Sequence, residues 1–420
     1  MLETAPSILS VREAQTHILD RIRPLPPERV TLSAALGRAV REPVVARVDV
    51  PPWDNAAMDG YAVRAEGIRK RESLPVALDV PAGSPADRAL PEGTVARIMT
   101  GAPIPSGADA VVPVEHTSGP DGRGEFAEVG DSVRFVEPVA AGDHVRRRGE
   151  DVRRGEVAVA EGATIDAPEI AMAATVGRAS LTVHRRPRVA IVSTGDELVD
   201  IEEAGAANRI VNGNAWGLAA AVEEAGGIPV VAPIAPDEPG AIRDAVRAAL
   251  RCDATITIGG VSVGEFDHVR DALEAEGVTI EFWRVAIKPG GPTAFGTSED
   301  GGPVFGLPGN PVSALVTFEA FARPAVLRLA GHRRCFRRSL EARLSVPVRG
   351  RRDKAQWLRG GLERDASGWT VAPTGPQGSG ILSSLVEANA LILVPPTTGE
   401  LEAGTLVEVL PLGAGRSEAP

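Results

Sequence analysis

The sequence predicts a multidomain α/β plus β protein, in which β-rich regions flank a central α/β domain. Its 420 residues are too many for one ordinary core, so we expect about two to four domains. Between residues 188 and 321, apolar strand-like runs alternate with helical segments, which predicts a mainly parallel sheet with helices on both faces. Residues 43–183 and the residues after Cys335 instead form short β-like runs broken by glycine and proline.

The first predicted element is a helix over residues 11–22, whose apolar positions recur at helical spacing and which Ser10 is placed to cap. The region from 43 to 183 follows. It predicts small β-rich units, because glycine or proline interrupts it roughly every ten positions. Its strand-like runs lie at 43–50, 95–101, 109–115 and 157–165.

The central region alternates strands and helices. The predicted order is strand and polar turn at 188–198, helix at 216–227, strand at 228–234, helix at 239–252, strand at 253–260, and strand, loop and helix at 303–321. A stretch rich in glycine and proline at 286–292 falls inside this region and is predicted to be a loop. After Cys335 the β-like runs return, and the last two lie at 390–396 and 405–411.

Composition excludes several classes of protein. The net charge of −11 argues against a nucleic-acid partner, and the arginines between 333 and 338 are interpreted as a solvated linker. Cys252 and Cys335 are the only cysteines, which excludes a disulfide scaffold and a cysteine zinc site. No apolar run reaches the roughly 18 residues of a membrane-spanning helix, and no signal-peptide pattern opens the chain. We therefore expect a cytoplasmic protein that does not bind a membrane.

Three predicted strand ends of the central region carry polar and glycine residues. They are Ser193, Thr194, Gly195, Asp196 and Glu197 after the first strand, Gly259 and Gly260 after the second, and Pro308, Gly309, Asn310 and Pro311 after the third. In an open α/β sheet, ligands bind outside the carboxyl ends of the strands. The helix that follows Pro311 is also expected to offer free N–H groups to an anion. The sequence therefore predicts a polar ligand pocket at this edge of the sheet.

The stretch GGVSVGEFDH (259–268) combines glycines with acids in one loop. Glycine lets the backbone approach a ligand, and loop N–H groups can cradle an oxyanion. The carboxylates of Glu265 and Asp267 repel phosphate unless a divalent cation lies between them. The loop therefore indicates a phosphorylated ligand together with a cation, and a strand-to-helix turn with a solvated acidic tip is the alternative.

Seven stretches of the chain, which lie in order and cover most of it, resemble the molybdopterin molybdenumtransferase family, whose eukaryotic relative is the C-terminal domain of gephyrin. They are PPWDNAAMDGYAV (51–63), ARIMTGAPIPSGADAVVPVE (96–115), RRRGEDV (146–152), STGDEL (193–198), GGVSVGEFD (259–267), FWRVAIKPG (282–290) and GLPGNPVSALVTFE (306–319). The C-terminal part resembles the family more loosely, through WLRG (357–360) and GPQGSGIL (375–382).

The resemblance implies a particular division into domains. It consists of a mixed N-terminal dimerisation domain at 1–50 with 146–183, an inserted β-rich domain at 51–145, an α/β domain of the molybdopterin-binding type at 184–332, and a C-terminal β domain at 333–420. It also implies a homodimer whose partners are small-molecule substrates, and it admits other molybdenum cofactor biosynthesis proteins as partners.

The implied activity is the last step of molybdenum cofactor synthesis. Molybdate is inserted into adenylylated molybdopterin, and the adenylate is hydrolysed with release of AMP. Molybdate and adenylylated molybdopterin are then the substrates and Mg²⁺ is the cofactor. Molybdate and tungstate are nearly equal in size and charge, so the sequence leaves the choice between them open.

Site residues follow by carrying the family's functional positions onto the matching stretches. The implied catalytic residues are Asp59, Thr100, Glu197, Asp237, Asp267 and Lys288, and the metal ligands among them are Glu197, Asp237 and Asp267. The implied substrate-binding residues are Ser193, Thr194, Gly195, Gly259, Gly260, Ser262, Arg284, Pro308, Gly309, Asn310, Arg359 and Ser379.

The chemistry of these residue types agrees with the implied roles. Carboxylates are hard oxygen ligands of the kind that Mg²⁺ takes. Arg284 and Lys288 would supply charge to a small dianion, Arg359 would offer phosphate a planar fork, and Ser379 would offer a hydroxyl beside two glycines. Taken singly, three of the residues have structural alternatives: Glu197 as a helix charge, Asp237 as a turn former and Lys288 as a solvated loop lysine.

The chain departs from the family's pattern at Ala56, Arg284, Gly291 and His268, which leaves metal choice and turnover open. Two other functions are therefore considered. One is a weakly active paralogue that serves as a scaffold, as gephyrin does, although such a scaffold has no need to keep the acids. The other is a molybdopterin adenylyltransferase, which shares the α/β domain but not the β-rich regions on either side.

Overall fold

The structure is a computed structural model that describes residues 8–68, 73–85, 87–118, 125–260, 268–366, 368–397 and 399–413. Two predicted site residues, Ser262 and Asp267, lie outside the described residues, as does Glu265.

The elements before Arg188 belong to two interleaved regions. They are α1 (Val11–Arg21), β1 (Pro27–Thr31), β2 (Val44–Val45), β3 (Asn55–Ala56), β4 (Gly60–Val63), β5 (Ser73–Val80), β6 (Val95–Ile98), β7 (Ala110–Pro113), β8 (Thr117–Ser118), β9 (Ser132–Phe135), β10 (Val145–Arg146), β11 (Val157–Val159), α2 (Ala167–Thr175) and β12 (Ser180–His184). β1 pairs with β12, β2 with β11 and β3 with β10, all antiparallel. The chain therefore leaves the first region and returns to it along paired segments.

The inserted region is a six-stranded sheet in the order β7-β4-β6-β5-β9-β8. Gly60 opens β4 at a point where any side chain would overlap the carbonyl oxygen of Val112 in β7, so only glycine fits. The Tyr61 hydroxyl, in a fully buried side chain, accepts the N–H of Ala127 at 2.7 Å. These contacts fix the short turn that carries Asp59.

The central region follows Arg188. Its elements are β13 (Arg188–Ser193), β14 (Leu198–Val199), β15 (Ile210–Val211), α3 (Gly213–Glu224), β16 (Ile228–Val231), α4 (Pro239–Ala249), β17 (Ala254–Ile258), α5 (His268–Ala275), β18 (Thr279–Phe282), β19 (Ile287–Lys288), β20 (Ala294–Thr297), β21 (Pro303–Leu307), α6 (Pro311–Thr317), a π-helical turn (Phe318–Ala322) and α7 (Arg323–Leu329).

Six of these strands form a mixed sheet in the order β16-β13-β17-β21-β20-β18. β13 pairs in parallel with β16 and β17, and β17 with β21, whereas β20 runs antiparallel to both β21 and β18. The chain first builds outward from β13 to β16 and then returns to place β17 on the other side of β13. The sheet therefore has a switch point between β13 and β17, which is where ligands bind in folds of this kind.

The C-terminal region is a barrel. Its elements are β22 (Leu340–Leu344), β23 (Val348–Arg349), β24 (Ala355–Asp365), β25 (Gly368–Pro373), α8 (Ser383–Val386), β26 (Ala390–Val394), β27 (Glu400–Leu401) and β28 (Leu406–Pro411). The strands follow the order β24-β25-β22-β28-β26, and β26 pairs again with β24, which closes the ring. β19 adds to β24 in parallel, so the segment predicted as a loop at 286–292 is partly a strand that joins the central region to the barrel.

The largest hydrophobic cluster also crosses these regions. Ala14, Ile18 and Ile22, on one side of α1 and at its end, are buried with the central sheet and its helices, and Trp357 of the barrel joins the same cluster. The Gln15 side chain donates to the carbonyl of Ala320 at 3.0 Å. Helix α1 therefore packs on the central region rather than on the strands that follow it in sequence.

Candidate active site

The loops after β13, β17 and β21 meet at the switch point of the central sheet. Gly259 leaves β17 with φ +83°, and a Cβ at this position would lie 3.7 Å from the carbonyl oxygen of Thr194. A Cβ at Gly309 would lie 3.9 Å from the Cα of Gly259. Asn214 in α3 donates to the carbonyl of Gly309 at 2.6 Å and fixes the third loop. The three strand ends therefore lie close to one another, and the positive φ of Gly259 is what favours glycine at the middle one.

Two acid-bearing loops are tied together beside this point. The N–H of Asp196 donates to Oδ2 of Asp237 at 3.3 Å, and the N–H of Asp237 donates to Oδ1 of Asp196 at 3.1 Å. The Glu197 carboxylate folds over Gly195, where any side chain would overlap it. Glu197 and Asp237, two of the predicted metal ligands, are thus exposed on neighbouring loops. The hydrogen bonds between Asp196 and Asp237 join these loops.

The donor set can be compared with what magnesium requires. Within the described residues, no group of three or more His, Cys, Asp or Glu side chains is arranged to hold a metal ion, and Asp267 lies outside those residues. Magnesium is commonly bound through one or two carboxylates, with waters and substrate phosphates as its other ligands. Glu197 and Asp237 are exposed oxygen donors on tied loops, so their chemistry fits such a site as a pair that the substrate completes.

Two predicted contacts with substrate, Ser193 and the first turn of α6, have hydrogen-bond partners within the protein. Ser193 is 1% exposed, and its hydroxyl donates to Oδ1 of Asn212 at 3.1 Å, so it joins β13 to the start of α3. The first turn of α6 was expected to offer free N–H groups. Pro311 has no N–H, however, and the N–H of Val312 donates to the carbonyl of Ser379 at 3.1 Å. This helix end therefore has fewer free donors than the sequence predicts, because the barrel supplies an acceptor.

Arg359 lies in a position that the sequence did not indicate. Its side chain is 0% exposed, and its guanidinium donates to the carbonyls of Gly378 at 3.0 Å, Pro376 at 3.3 Å and Gln377 at 3.4 Å. Its Nε donates to the Ser384 hydroxyl at 3.0 Å. Burial lowers the pKa of Arg359. In this arrangement the fork organises the loop that carries Ser379, and the predicted contact with phosphate stays a prediction.

The two remaining predicted cations lie on the connection between the central sheet and the barrel. Val285 and Ile287 point inward and are buried, whereas Arg284 is exposed and Lys288 is partly exposed. Both cations therefore lie on the outward side of this segment. Burial is the first cause that lowers the pKa of Lys288, followed by the positive charges of Arg351, Lys354 and Arg359.

Asp59 and Thr100 lie together on the inserted sheet. The Thr100 hydroxyl and the Thr100 N–H both donate to Oδ1 of Asp59 at 2.6 Å. These two bonds lower the pKa of the exposed Asp59 carboxyl, the hydroxyl contributing more than the N–H. No hydrogen bond or ion pair among the described residues links this pair to the loops of the central sheet.

Some residues that shape the site were not predicted to do so. They are Asp196, which accepts the N–H of Asp237, Asn212, which accepts the hydroxyl of Ser193, and Asn214, which donates to the carbonyl of Gly309. A signal for the asparagines was present, because Asn and Gly directly before an apolar periodic segment mark the beginning of a helix.

Three family models match consecutive parts of the chain. They are the MoeA N-terminal region (domain I and II) over residues 9–177, a probable molybdopterin binding domain over 190–328 and the MoeA C-terminal region (domain IV) over 341–412. A curated relative, molybdopterin molybdenumtransferase 2 of Mycobacterium tuberculosis, is 39% identical over 413 residues, which is 95% of this chain and 98% of the relative. The chain belongs to the molybdopterin molybdenumtransferase family. The sequence-based assignment to this family is therefore confirmed.

Further relatives agree with this assignment. The molybdopterin molybdenumtransferase of Haemophilus influenzae is 33% identical and covers 96% of this chain and 98% of its own length. A crystal structure of the molybdopterin biosynthesis moeA protein from Pyrococcus horikoshii OT3 superposes with a TM-score of 0.81 at 30% identity, and covers 96% of this chain and all of that one. Among the described residues, no helix has the length and apolar character needed to cross a membrane.

Proposed function

We propose that this protein inserts molybdate into adenylylated molybdopterin, with hydrolysis of the adenylate and release of AMP. The observation that carries the proposal is the convergence of the loops at Thr194, Gly259 and Gly309 on the switch point of the sheet. It occurs in a chain that matches relatives named molybdopterin molybdenumtransferase over 95% of its length. The scaffold alternative has less support because the relatives carry the enzyme's name, and the adenylyltransferase alternative has less because family models also match both β-rich regions.

In this proposal the loops of the central sheet bind the pterin and its phosphates. Gly259, Gly260, Gly309 and Asn310 are at least partly exposed and present the backbone or small polar groups to it, and the largely buried Thr194 and Gly195 lie at the base of the same loops. Ser193 and Pro308 are buried and support these loops from behind. Arg284 and Lys288 place positive charge near the oxyanion, and Ser262, outside the described residues, remains a proposed contact of the same loop.

Glu197 and Asp237, together with Asp267, are the residues that would hold Mg²⁺. A magnesium ion bound there would neutralise charge on the phosphoanhydride. The two hydrogen bonds between Asp196 and Asp237 hold the loop of Glu197 next to the loop of Asp237. These bonds therefore position both proposed metal ligands before a ligand binds. Arg359 is proposed as a positioning residue that shapes the Ser379 loop, in place of a direct phosphate ligand.

We further propose that the active site of a homodimer is shared between two chains. Asp59 directly precedes β4 of the inserted sheet, and Trp53 and Met58 of the same segment are 44% and 39% exposed. Exposed apolar side chains around a polar centre are typical of surfaces that another chain or ligand covers. The loops of the partner's central sheet would cover this surface, and twofold symmetry would make two equivalent sites.

We keep as a proposal the division into four domains that the resemblance implies: 1–50 with 146–183, 51–145, 184–332 and 333–420. Helix α1 of the first domain packs on the central region. A cytoplasmic location and contacts with other molybdenum cofactor biosynthesis proteins are likewise proposed.

Reconstitution tests the proposed function. The purified protein, adenylylated molybdopterin, Mg²⁺ and molybdate are incubated, and the product is offered to a molybdoenzyme prepared without its cofactor. We expect the recipient to become active only when this protein and molybdate are both present. A recipient that stays inactive, while authentic cofactor activates it, would contradict the proposal.

A further inference from the structure

The first turn of α3 links two of the loops that meet at the switch point. Asn212 accepts the hydroxyl of Ser193, the last residue of β13, at 3.1 Å. Two residues later, the amide nitrogen of Asn214 donates to the carbonyl of Gly309, in the loop after β21, at 2.6 Å. In the sheet, β17 lies between β13 and β21. One helical turn therefore holds the strand ends on either side of β17.

Helix α3 gives up its own cap to make these contacts. Asn212 occupies the N-cap, where an asparagine oxygen normally accepts an N–H of the following turn, but here that oxygen accepts the hydroxyl of Ser193. The helix is held instead by packing, since Ala215, Leu218 and Val222 are buried in the largest hydrophobic cluster. The polar side chains of the first turn therefore serve the neighbouring loops, and the packed helix gives these loops a fixed base.

The bond from Asn214 orients the peptide that joins Gly309 to Asn310. This peptide is trans, because the cis peptides of the described residues both precede proline. In a trans peptide, the carbonyl and the N–H of the following residue point to opposite sides. Since the carbonyl of Gly309 points to Asn214, the N–H of Asn310 points away from α3.

The N–H of Asn310 is open to a ligand. Gly309 and Asn310 are both exposed, and within the part of the chain that the structure describes, the N–H of Asn310 has no acceptor. The next two residues offer no such donor, because Pro311 has no N–H and the N–H of Val312 donates to the carbonyl of Ser379. The peptide that Asn214 orients is therefore the one that presents a free donor in this loop.

We infer that Asn214 is a positioning residue for the reaction. By holding the carbonyl of Gly309, it directs the N–H of Asn310 to an oxygen atom of bound adenylylated molybdopterin. The inference rests on the proposed function for the identity of this substrate. The acceptor is an oxygen of the adenylate or an oxygen of the molybdopterin part, and both kinds of oxygen accept a backbone N–H.

Three variants separate the loss of the donor from an added charge. Asn214→Ala removes the donor, and Asn214→Asp removes it and adds a negative charge. Gly213→Asp adds the same charge one residue earlier and keeps Asn214, and among the described residues no atom lies within 4 Å of a Cβ at Gly213. An acid in the first turn of a helix is favoured by the helix dipole. We therefore expect both aspartate variants to keep the urea unfolding midpoint of the parent.

Binding and kinetics of the intact protein test the inference. Equilibrium dialysis measures the affinity for AMP alone and for molybdopterin alone. We expect Asn214→Ala and Asn214→Asp to bind at least one of these probes about tenfold more weakly, because a hydrogen bond to a charged group contributes roughly that factor. The loss should appear in the KM for adenylylated molybdopterin rather than in kcat, because this donor binds the substrate before and during the reaction alike. Gly213→Asp should stay close to the parent in both measurements.

The two probes also identify the acceptor. Weaker binding of AMP alone would assign the oxygen to the adenylate, and weaker binding of molybdopterin alone would assign it to the molybdopterin part. Binding of both probes by Asn214→Ala as tightly as by the parent would overturn the inference, even if both aspartate variants bound them weakly, because the added charge would then be the cause. A parent that releases no AMP from adenylylated molybdopterin, while Asn214→Ala binds a probe more weakly, would contradict only the proposed function.

Discussion

The Asp59 carboxylate accepts two hydrogen bonds from Thr100, one from the hydroxyl and one from the backbone N–H, each at 2.6 Å. The two residues come from separate turns of the inserted sheet, and Gly60 fixes the first turn by close contact with β7. A carboxylate that accepts such bonds is stabilised in its ionised form. The pair therefore presents a fixed negative charge at an exposed position, directly after the exposed Met58 in the chain.

Replacing Thr100 by valine should move the acid limb of activity. The hydroxyl of Thr100 is the first cause that lowers the pKa of Asp59, so Thr100→Val raises this pKa toward its ordinary value. If ionised Asp59 is required, activity in the variant is lost at a higher pH than in the parent as the pH falls. The measurement is kcat/KM for AMP release between about pH 4 and 8, a range that brackets an ordinary carboxyl pKa. Thr100→Ser keeps the hydroxyl and serves as control, and identical acid limbs in all three proteins would show that this bond does not set the charge.

Removing the side chain of Asp196 should weaken the use of magnesium. Oδ1 of Asp196 holds the N–H of Asp237 at 3.1 Å, and its loss frees the loop that carries a proposed ligand. Loss of such a supporting partner commonly costs about 10- to 100-fold in metal affinity or activity. We expect the Mg²⁺ concentration for half-maximal activity to rise by this order in Asp196→Ala. Asp196→Asn keeps the acceptor oxygen and should stay close to the parent. An unchanged Mg²⁺ requirement in the alanine variant would remove Asp196 from this role.

Replacing Arg359 by methionine should destabilise the protein. The change removes the donors that hold the carbonyls of the loop residues Pro376, Gln377 and Gly378. Hydrogen bonds to a charged donor contribute about 1.5–3 kcal/mol each, so we expect the free energy of unfolding to fall by about 3 kcal/mol or more. Urea unfolding measures this value. A variant as stable as the parent that has lost only anion affinity would restore Arg359 as a direct ligand.

Mixed dimers test whether the site is shared between chains. Asp59→Ala and Asp237→Ala proteins, each inactive alone, are allowed to exchange subunits. If each site uses Asp59 of one chain and Asp237 of the other, every mixed dimer holds one intact site. Random exchange then restores roughly a quarter of the parent activity. No recovery, after mass measurement has confirmed the exchange, would place both residues in a site built by a single chain.

Local pattern predicted the parts of this protein that depend on local physics. Helix α4, predicted over 239–252, forms over Pro239–Ala249, and the glycine pair after β17 marks a strand end where the backbone takes positive φ. Periodicity and glycine report on neighbouring residues in the chain, so such elements are readable from the sequence.

Contacts between distant segments were not readable in the same way. Nothing in the sequence indicated that Ile287 and Lys288 pair with β24, because the proline and glycines that follow them favour a loop. Nor did it indicate that Arg359 is buried, since the carbonyls that satisfy its donors come from a loop after the next strand. The occupied N–H of Val312 depends likewise on Ser379, which is remote in sequence. These differences fall at the junction between the central region and the barrel.

Release of AMP tests the central claim most directly. Purified protein is mixed with adenylylated molybdopterin, and AMP is measured with molybdate and Mg²⁺ both present and with each left out in turn. We expect AMP release only in the complete mixture, with one molybdenum atom bound to the pterin product for each AMP released. AMP release that continues without molybdate, or its absence from the complete mixture, would contradict the proposed function.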